Sequence, residues 1–342
     1  MFQHVSRSLA LGLLASLALA ACSSETPPTT EPELVVYSSR AEQLIKPLFD
    51  QYTAETGVEI KYTTDKEQPL IERLKAEGES TPASIFLTVD AGNLWHAAEQ
   101  GVLQSIDSEA LRGAIPAHLR DPEGYWFGLS VRARTIVYDP AKVDTSELSS
   151  YADLADPSWK GRLCLRTSKK VYNQSLVAML IAQHGVDKTE GIVRGWVGNL
   201  AEDVFSNDTK LMEAIVDGRC ELGIVNSYYY GRLQRDNDQS LSLRLFWPSE
   251  DVGGVHVNVS GAGITAHAPA PEKALAFIEW MAGSQGQGLL AGSNLEFPAN
   301  PEVDSDPIVA SWGEFSQSQM PLHKAGELQA EAVQLMGRIG YR

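Results

Sequence analysis

Three consecutive tyrosines, Tyr228, Tyr229 and Tyr230, are the residues of this sequence whose type and spacing first indicate chemistry. Residues 221–225 predict a buried strand that ends in a polar turn, and residues 231–235 are suited to opening a helix. Open α/β sheets hold ligands outside the carboxyl ends of their strands, which is where these phenols fall. Adjacent side chains diverge on a regular strand or helix, so Tyr228 and Tyr229 converge only on an irregular backbone. The alternative is an aromatic run that packs beneath a loop.

A cluster of phenols favours one kind of metal ion. The ordinary pKa of a tyrosine is about 10 and burial raises it, but a highly charged cation stabilises the phenolate. Ferric iron is matched by three phenolates, whereas zinc and copper recruit His and Cys, and calcium and magnesium prefer carboxylates and carbonyls. The sequence has no EF-hand loop, no H-E-x-x-H and no G-x-S-x-G motif.

The elements that must position these residues follow an α/β rhythm. Strand-like and amphipathic helical runs alternate, and glycines end the helices, which predicts a parallel sheet with right-handed crossovers. The predicted strands are residues 34–39, 58–64 and 84–89, and the predicted helices are residues 41–56, 69–77 and 93–100.

Two long extended stretches, residues 126–139 and 255–266, divide this pattern. Between them a second α/β series is predicted, and each stretch is long enough to run between two sheets. Two α/β lobes joined by two crossing strands form a hinge that can close over a ligand. The remaining predictions are strands 162–165 and 221–225 and helices 174–184, 189–199, 209–216, 273–282 and 327–339.

The amino terminus is predicted to be a targeting segment. Residues 1–21 carry His4 and Arg7 before an apolar run that is too short to span a bilayer, so they fit a signal peptide. Small residues directly before Cys22 resemble a bacterial lipoprotein processing site, which would make Cys22 the acylated first residue. Residues 22–33 are rich in Ser, Thr, Pro and Glu and are predicted to form a lipidated tether. An ordinary signal with a chance cysteine is the alternative.

The other two cysteines and the overall charge fit an exported protein. Cys164 and Cys220 both lie on strand-like runs, and an exported compartment permits a disulfide between them. The chain has 28 basic and 44 acidic residues, a formal net charge of −16. Such a charge repels nucleic acid and anionic lipid, so we expect no nucleic-acid partner.

Seven segments in order give the chain a resemblance to the ferric-iron-binding proteins of bacterial ABC transporters, also called bacterial transferrins. Each is weak alone and the ordered set is specific: residues 36–40 (Val-Tyr-Ser-Ser-Arg), 86–95, 128–134, 171–176 (Val-Tyr-Asn-Gln-Ser-Leu), 226–229 (Asn-Ser-Tyr-Tyr), 256–263 and 294–298. The resemblance runs through most of residues 34–342. It implies a two-lobe periplasmic-binding-protein fold of type II, with an N-lobe of residues 34–134 and 259–309 and a C-lobe of residues 135–258 and 310–342.

The resemblance also implies the site residues. Tyr228 and Tyr229 of the Asn-x-Tyr-Tyr motif would be paired iron ligands, and Tyr172 would be a third. We expect Tyr230 to pack and Tyr37 to lie in the core.

The sequence departs from the family's pattern after Tyr-Ser-Ser-Arg, where many members carry His or His-Tyr and this chain has Ala41 and Glu42. Three phenolates do not fill the octahedral shell of iron, and members without that histidine complete it with a synergistic anion such as carbonate. Arginine offers a planar fork to a planar oxyanion. We therefore expect Arg40 and Arg134 to bind the anion, with Arg132 on the same face of the strand as Arg134 and Glu42 a less favoured replacement ligand.

These observations predict an extracytoplasmic, lipid-anchored ferric-iron-binding protein, monomeric and not an enzyme, that delivers iron in the periplasm to the permease and ATPase of an ABC importer. One alternative is a metal-free protein that binds an oxyanion or an organic ligand. The other is an enzyme with tyrosinate-bound iron, which usually needs two His and a carboxylate that the scattered histidines do not supply. A ligand-presenting subunit of a sensor would differ only in its partner.

Overall fold

The computed structural model describes residues 32–237 and 241–342, except the side chain of Val252. Its first part alternates strands and helices, as predicted. Gly57 takes a left-handed conformation (φ 74°) directly after the first helix, which ends it as expected. The elements are β1 (Leu34–Ser38), α1 (Glu42–Thr56), β2 (Ile60–Thr64), α2 (Glu67–Glu77), β3 (Ile85–Val89), α3 (Ala91–Glu99), β4 (Leu103–Gln104) and α4 (Glu109–Ala114).

The middle of the chain begins with one long buried strand, β5 (Phe127–Tyr138). Two helices start earlier than the sequence pattern indicated: α5 begins at Val171 and α8 at Ser227, so both include tyrosines expected to precede them. The elements after β5 are β6 (Leu163–Cys164), α5 (Val171–His184), α6 (Val186–Gly198), α7 (Asp208–Val216), β7 (Leu222–Asn226), α8 (Ser227–Asp236) and β8 (Arg244–Phe246).

The last part begins with the second long strand. Its elements are β9 (Val257–Thr265), α9 (Pro271–Ala282), α10 (Ser284–Gly292), β10 (Phe297–Pro298), α11 (Pro307–Ala310), α12 (His323–Glu327) and α13 (Gln329–Arg338). The helix predicted at residues 327–339 is confirmed as α13, with a short helix that was not predicted, α12, directly before it.

Strand β5 joins two sets of strands. Its first half pairs antiparallel with β9, and its second half pairs antiparallel with β7 and β8. Strand β1 pairs parallel with β2 and β3, as the alternating pattern predicted. The resulting strand order is β2-β1-β3-β9-β5-β7-β6. One continuous strand therefore links the two halves of the sheet.

The hydrophobic cores also divide along β5. One core takes its residues from β1 to the first half of β5, from the β9–β10 region and from Leu322. Two others begin with Ile136 and Val137 and take their residues from the β6–β8 region and α13. By contacts, Glu33–Arg342 form one compact unit. The residue boundaries of the two lobes therefore stay a prediction.

Cys164 and Cys220 form a disulfide with an S–S distance of 2.05 Å, the pairing that the sequence predicted. The signal peptide, Cys22 and the tether up to residue 31 lie outside the described residues. Within the described ranges, every helix is too short or too polar to cross a bilayer.

Candidate functional site

Tyr228 and Tyr229 occupy the first turn of α8, which begins directly after β7. Their ring centroids lie 4.3 Å apart. We expected the side chains of Tyr228 and Tyr229 to converge only on an irregular backbone. That expectation is wrong, because the two rings meet on a regular helical turn. Tyr228 is buried, with 5% of its surface exposed, and Tyr229 is half-buried.

Tyr172, the second residue of α5, lies with this pair. The guanidinium of Arg166 lies 5.3 Å from the ring centroid of Tyr172 and 5.6 Å from that of Tyr229. The structure thus brings together the three tyrosines named from the sequence, and one arginine faces the rings of two of them.

Two further arginines surround the three rings. The guanidinium of Arg132 lies 5.7 Å from the ring centroid of Tyr172, and that of Arg232 lies 5.2 Å from the centroid of Tyr228. Cations over aromatic faces are attracted by the electrons of the ring.

Burial raises the pKa of Tyr228 well above its ordinary value, and the neighbouring Tyr172 and Tyr229 add to this rise. Arg132 opposes the rise but does not cancel it. Tyr228 is therefore neutral at ordinary pH unless a cation of high charge replaces its proton.

The start of α8 is fixed by buried hydrogen bonds. The backbone N–H of Asn226 donates to Oδ2 of Asp208 (2.9 Å), and the N–H of Ala133 on β5 donates to Oγ of Ser227 (3.3 Å). These bonds hold the two residues before Tyr228, so the ring pair is positioned by β5 and α7.

Arg134 lies inside this support. Its guanidinium donates to Oδ1 of Asn173 (2.6 and 3.0 Å), Oδ1 of Asn226 (3.1 Å) and Oδ2 of Asp208 (3.2 Å). The side chain is 1% exposed. These contacts give Arg134 a positioning geometry, because it joins α5 and β7 at the residues beside Tyr172 and Tyr228. They differ from the anion-binding geometry expected from the sequence.

Arg40 has the geometry that an anion site needs. Its Nη1 donates to Oγ of Ser130 (3.4 Å), to Oε2 of Glu296 (3.3 Å) and to Oγ of Ser260. Its Nε and Nη2 are buried and have no hydrogen-bond partner among the described residues. These two atoms form one edge of the guanidinium fork, which matches two oxygens of a carbonate or carboxylate.

Arg132 adds to the same group of residues. Its Nη2 donates to Oγ of Ser260 (2.8 Å), and its Nε is buried without a hydrogen-bond partner in the described chain. Burial opposes its charge, but Glu296, Tyr172 and Tyr228 keep the pKa of Arg132 above its ordinary value. Ser260 therefore links Arg132 to Arg40.

Glu296 supplies the counter-charge. Burial alone would raise its pKa, but Arg40 and Arg132, with hydrogen bonds from Ser130 and Asn294, lower the pKa of this carboxyl to about 2. Glu296 therefore stays ionised and holds the two arginines close together.

The last residues of the chain reach the loop before Tyr172. The hydroxyl of Tyr341 donates to the carbonyl of Arg166 (2.7 Å) and accepts from Nδ2 of Asn173 (2.9 Å). The N–H of Ser168 donates to the carbonyl of Arg342 (2.9 Å). Tyr341 thereby fixes the residues on both sides of Tyr172.

Three other residues considered from the sequence lie outside the tyrosine cluster. Tyr230 packs as predicted, since its hydroxyl donates to the carbonyl of Leu243 (3.0 Å) and its ring meets Trp312 edge to face. Tyr37 is a core residue whose hydroxyl donates to Glu77 (2.9 Å). Glu42 is exposed and accepts a hydrogen bond from the hydroxyl of Tyr62 (2.8 Å), so its carboxylate points to another partner.

Sequence reasoning missed Arg166, Arg232 and Glu296. Arg232 is four residues after Tyr228, so a helix that began at Ser227 would have placed both on one face. Arg166 follows a short strand and lies six residues before Tyr172. This position gave no comparable sequence signal that Arg166 would face the tyrosines.

The described residues include no group of three or more His, Cys, Asp and Glu that could hold a metal ion. The three phenols form a set of oxygen groups of another type.

Comparison with known proteins gives the family. Residues 80–312 match the family model of bacterial extracellular solute-binding proteins. The chain is 40% identical over 320 residues to iron uptake protein A1 of Synechocystis, covering 92% of this chain and 89% of the relative. A solved structure described as Trichodesmium FutA in complex with iron and citrate is 40% identical, with a TM-score of 0.87 over 91% of this chain and all of that one.

A second solved structure, the ferric iron-binding protein A of Mannheimia haemolytica in an open conformation, is 34% identical, with a TM-score of 0.84 over 90% of this chain and 98% of that one. The predicted periplasmic-binding-protein fold is confirmed by these similarities. With its fold, its tyrosine site and its family match taken together, this chain belongs to the bacterial extracellular solute-binding proteins.

Proposed function

We propose that this chain is an exported ferric-iron-binding protein that carries iron to an ABC importer. The observation that carries the proposal is the gathering of Tyr172, Tyr228 and Tyr229 with Arg166 against two of their rings. Phenolates are hard, charged ligands that suit a trivalent ion. The similarity to iron uptake protein A1 of Synechocystis and to ferric iron-binding protein A of Mannheimia haemolytica supports this proposal.

We also propose that a synergistic anion binds together with the iron. The buried arginines Arg40, Arg132, Arg134 and Arg166 face the buried acids Asp90, Asp208 and Glu296, which leaves an excess of positive charge. Ferric iron with three phenolates is neutral and leaves this excess unchanged, so a small anion balances it. We propose that carbonate binds Nε and Nη2 of Arg40 and Nε of Arg132, three buried atoms that have no hydrogen-bond partner among the described residues. The iron-and-citrate complex of the Trichodesmium protein makes a carboxylate the competing anion.

The mechanism follows from the protonation states. Iron displaces the proton of Tyr228, whose pKa burial has raised, so iron binding weakens as the pH falls. Closing the halves linked by β5 would exclude water and strengthen each charge interaction. Opening of the cleft or protonation of the phenols would then release iron to the permease and its ATPase.

Titration with ferric citrate tests the function. A charge-transfer band in the visible spectrum is expected on binding, and Tyr228→Phe, Tyr229→Phe and Tyr172→Phe should each weaken or shift it. Tyr230→Phe is the matched control, because it removes a phenol that bonds only the carbonyl of Leu243 and should leave the band intact. A titration of the wild-type chain that stays colourless contradicts the proposal.

Periplasmic location and a lipid anchor at Cys22 belong to the same proposal and rest on the sequence pattern of residues 1–33. The Cys22→Ala variant should leave the membrane fraction and appear in the soluble periplasmic fraction, while Cys164 and Cys220 stay paired. Equal membrane association of both forms would argue against the anchor. We expect a monomer, which sedimentation measures directly.

A metal-free anion carrier is the second candidate. Nε and Nη2 of Arg40, which lack a hydrogen-bond partner within residues 32–237 and 241–342, favour it, since they suit an oxyanion with or without iron. Native mass spectrometry of metal-free protein distinguishes the two: retained phosphate or carboxylate favours the anion carrier, and binding only with iron favours the first proposal.

A further inference from the structure

A buried carboxylate, Asp90, joins three elements beside the tyrosine site. It directly follows β3, caps the start of α3 by accepting the N–H of Gly92 (2.9 Å), and is fully buried. Its φ of 76° lies in the left-handed region, which residues other than glycine rarely occupy. A strained, buried position of this kind persists only where the surrounding bonds hold it.

Gly92, Ser175 and Asn258 are the hydrogen-bond partners of the Asp90 carboxylate in the described part of the chain, and each donates to it. Nδ2 of Asn258 on β9 donates to Oδ2 (2.9 Å), and Oγ of Ser175 on α5 lies 2.8 and 2.9 Å from the two oxygens. The side-chain amide of Asn258 cannot rotate by half a turn without losing hydrogen bonds, because its Oδ1 accepts from the N–H groups of Ala91 and Val259, both at 2.8 Å. The position therefore requires an acceptor at both oxygens.

Ser175 lies three residues after Tyr172 on α5, so the two side chains share one face of the helix. The bond from Ser175 to Asp90 thus fixes the first turn of α5 against β9 and α3. We propose that Asp90, acting through Ser175, is a positioning residue that sets the phenol of Tyr172 against Tyr228 and Tyr229. This inference rests on the proposed function, since it assigns a role within the same iron site.

The electrostatics agree with this role. Burial raises the pKa of Asp90 to about 6, whereas hydrogen bonds from Ser175 and Gly92 and the charge of Arg132 lower it. Glu67 is the other charged group that acts on it, and it raises the value. The fold keeps a carboxylate here against the cost of burial, which is expected where its acceptor geometry is used.

A double-mutant cycle tests the inference on the whole chain. Ser175→Ala removes the bond to α5 and should weaken ferric-iron affinity about tenfold, as loss of a partner that orients a metal ligand does. In the Tyr172→Phe background the same change should have little further effect, because the residue it positions is no longer a ligand. Asp90→Asn should also weaken ferric-iron affinity. If Asp90→Asn does not fold, Ser175→Ala alone tests the inference.

Thr265→Val is the matched control. It also removes a buried hydroxyl, one that donates to the carbonyl of Ala83 (2.6 Å), and should leave the iron spectrum unchanged. Equal losses from Ser175→Ala in both backgrounds, or no loss in either, would overturn the inference. A wild-type chain that binds no iron would instead refute the proposed function, so the two failures are distinguishable.

Discussion

Neighbouring arginines on one strand perform different tasks in this protein. Arg132 and Arg134 are both buried on β5 and share a face, yet one has an unpartnered Nε and the other is bonded to three polar side chains. The difference arises from what lies opposite each guanidinium: Ser260 for Arg132, and Asp208 with two asparagines for Arg134.

This contrast gives a prediction at the scale of single residues. Arg132→Gln should weaken iron binding and reduce its dependence on added bicarbonate, with a small effect on folding. Arg134→Gln should lower the free energy of unfolding by about 3–5 kcal/mol, because it leaves Asp208 buried with one fewer cation. Urea unfolding and iron titration of both variants measure the two effects. Loss of bicarbonate dependence in Arg134→Gln alone would reverse the assignment.

The elements show where sequence reasoning succeeded and where it did not. Helix α1 ended at Gly57 as expected, because a left-handed glycine is a local signal. The start of α8 was placed too late, because its first turn is held by Asp208 and by the backbone of Ala133, which are distant in sequence. Tyr228 and Tyr229 were identified from their type and spacing and Tyr172 by resemblance. Arg166 and Glu296 were missed because their roles depend on tertiary contacts, although Glu296 lies in one of the segments that carry the resemblance.

The disulfide is a stabilising feature of its elements. It joins Cys164 of β6 to Cys220, two residues before the paired strand β7, and closes a loop with a sequence separation of 56 residues. The Cys164→Ser/Cys220→Ser double variant should lose about 2–4 kcal/mol of unfolding free energy. Denaturant unfolding measures the loss. The iron spectrum should stay the same, since neither cysteine belongs to the phenol cluster; a changed spectrum would show that the bridge also shapes the site.

For the whole molecule, buried titratable groups determine how the stability of the fold changes as the pH falls. Burial, with Arg134 nearby, lowers the pKa of His256 to about 3, below its ordinary 6.5. The neutral imidazole therefore contributes stability above pH 6.5, which is lost as the pH falls toward 3. Glu296 also contributes stability that is lost on acidification, from pH 4.5 down to about pH 2. Asp90 has the opposite effect: because its pKa is raised to about 6, its protonation stabilises the fold as the pH falls from 6 to 3.8.

We therefore predict that His256 lowers the unfolding free energy by about 3 kcal/mol between pH 6.5 and pH 4, and that Asp90 offsets much of this loss below pH 6. His256→Gln removes the titrating group, so its unfolding free energy should fall less over this range than that of the wild type. Chemical denaturation across the pH range makes the comparison, with exposed His267→Gln as control. Parallel profiles for His256→Gln and the wild type would contradict the assignment.

The contact between Tyr341 and the residues flanking Tyr172 makes the proposed iron site depend on a hydroxyl that is 168 to 175 residues distant in sequence. Without that hydroxyl, the carbonyl of Arg166 and the amide of Asn173 would lose a shared partner. Cargo capture would then decline while the β-sheet and its cores remained assembled. The arrangement of the phenols and the stability of the fold are therefore separable at this one contact.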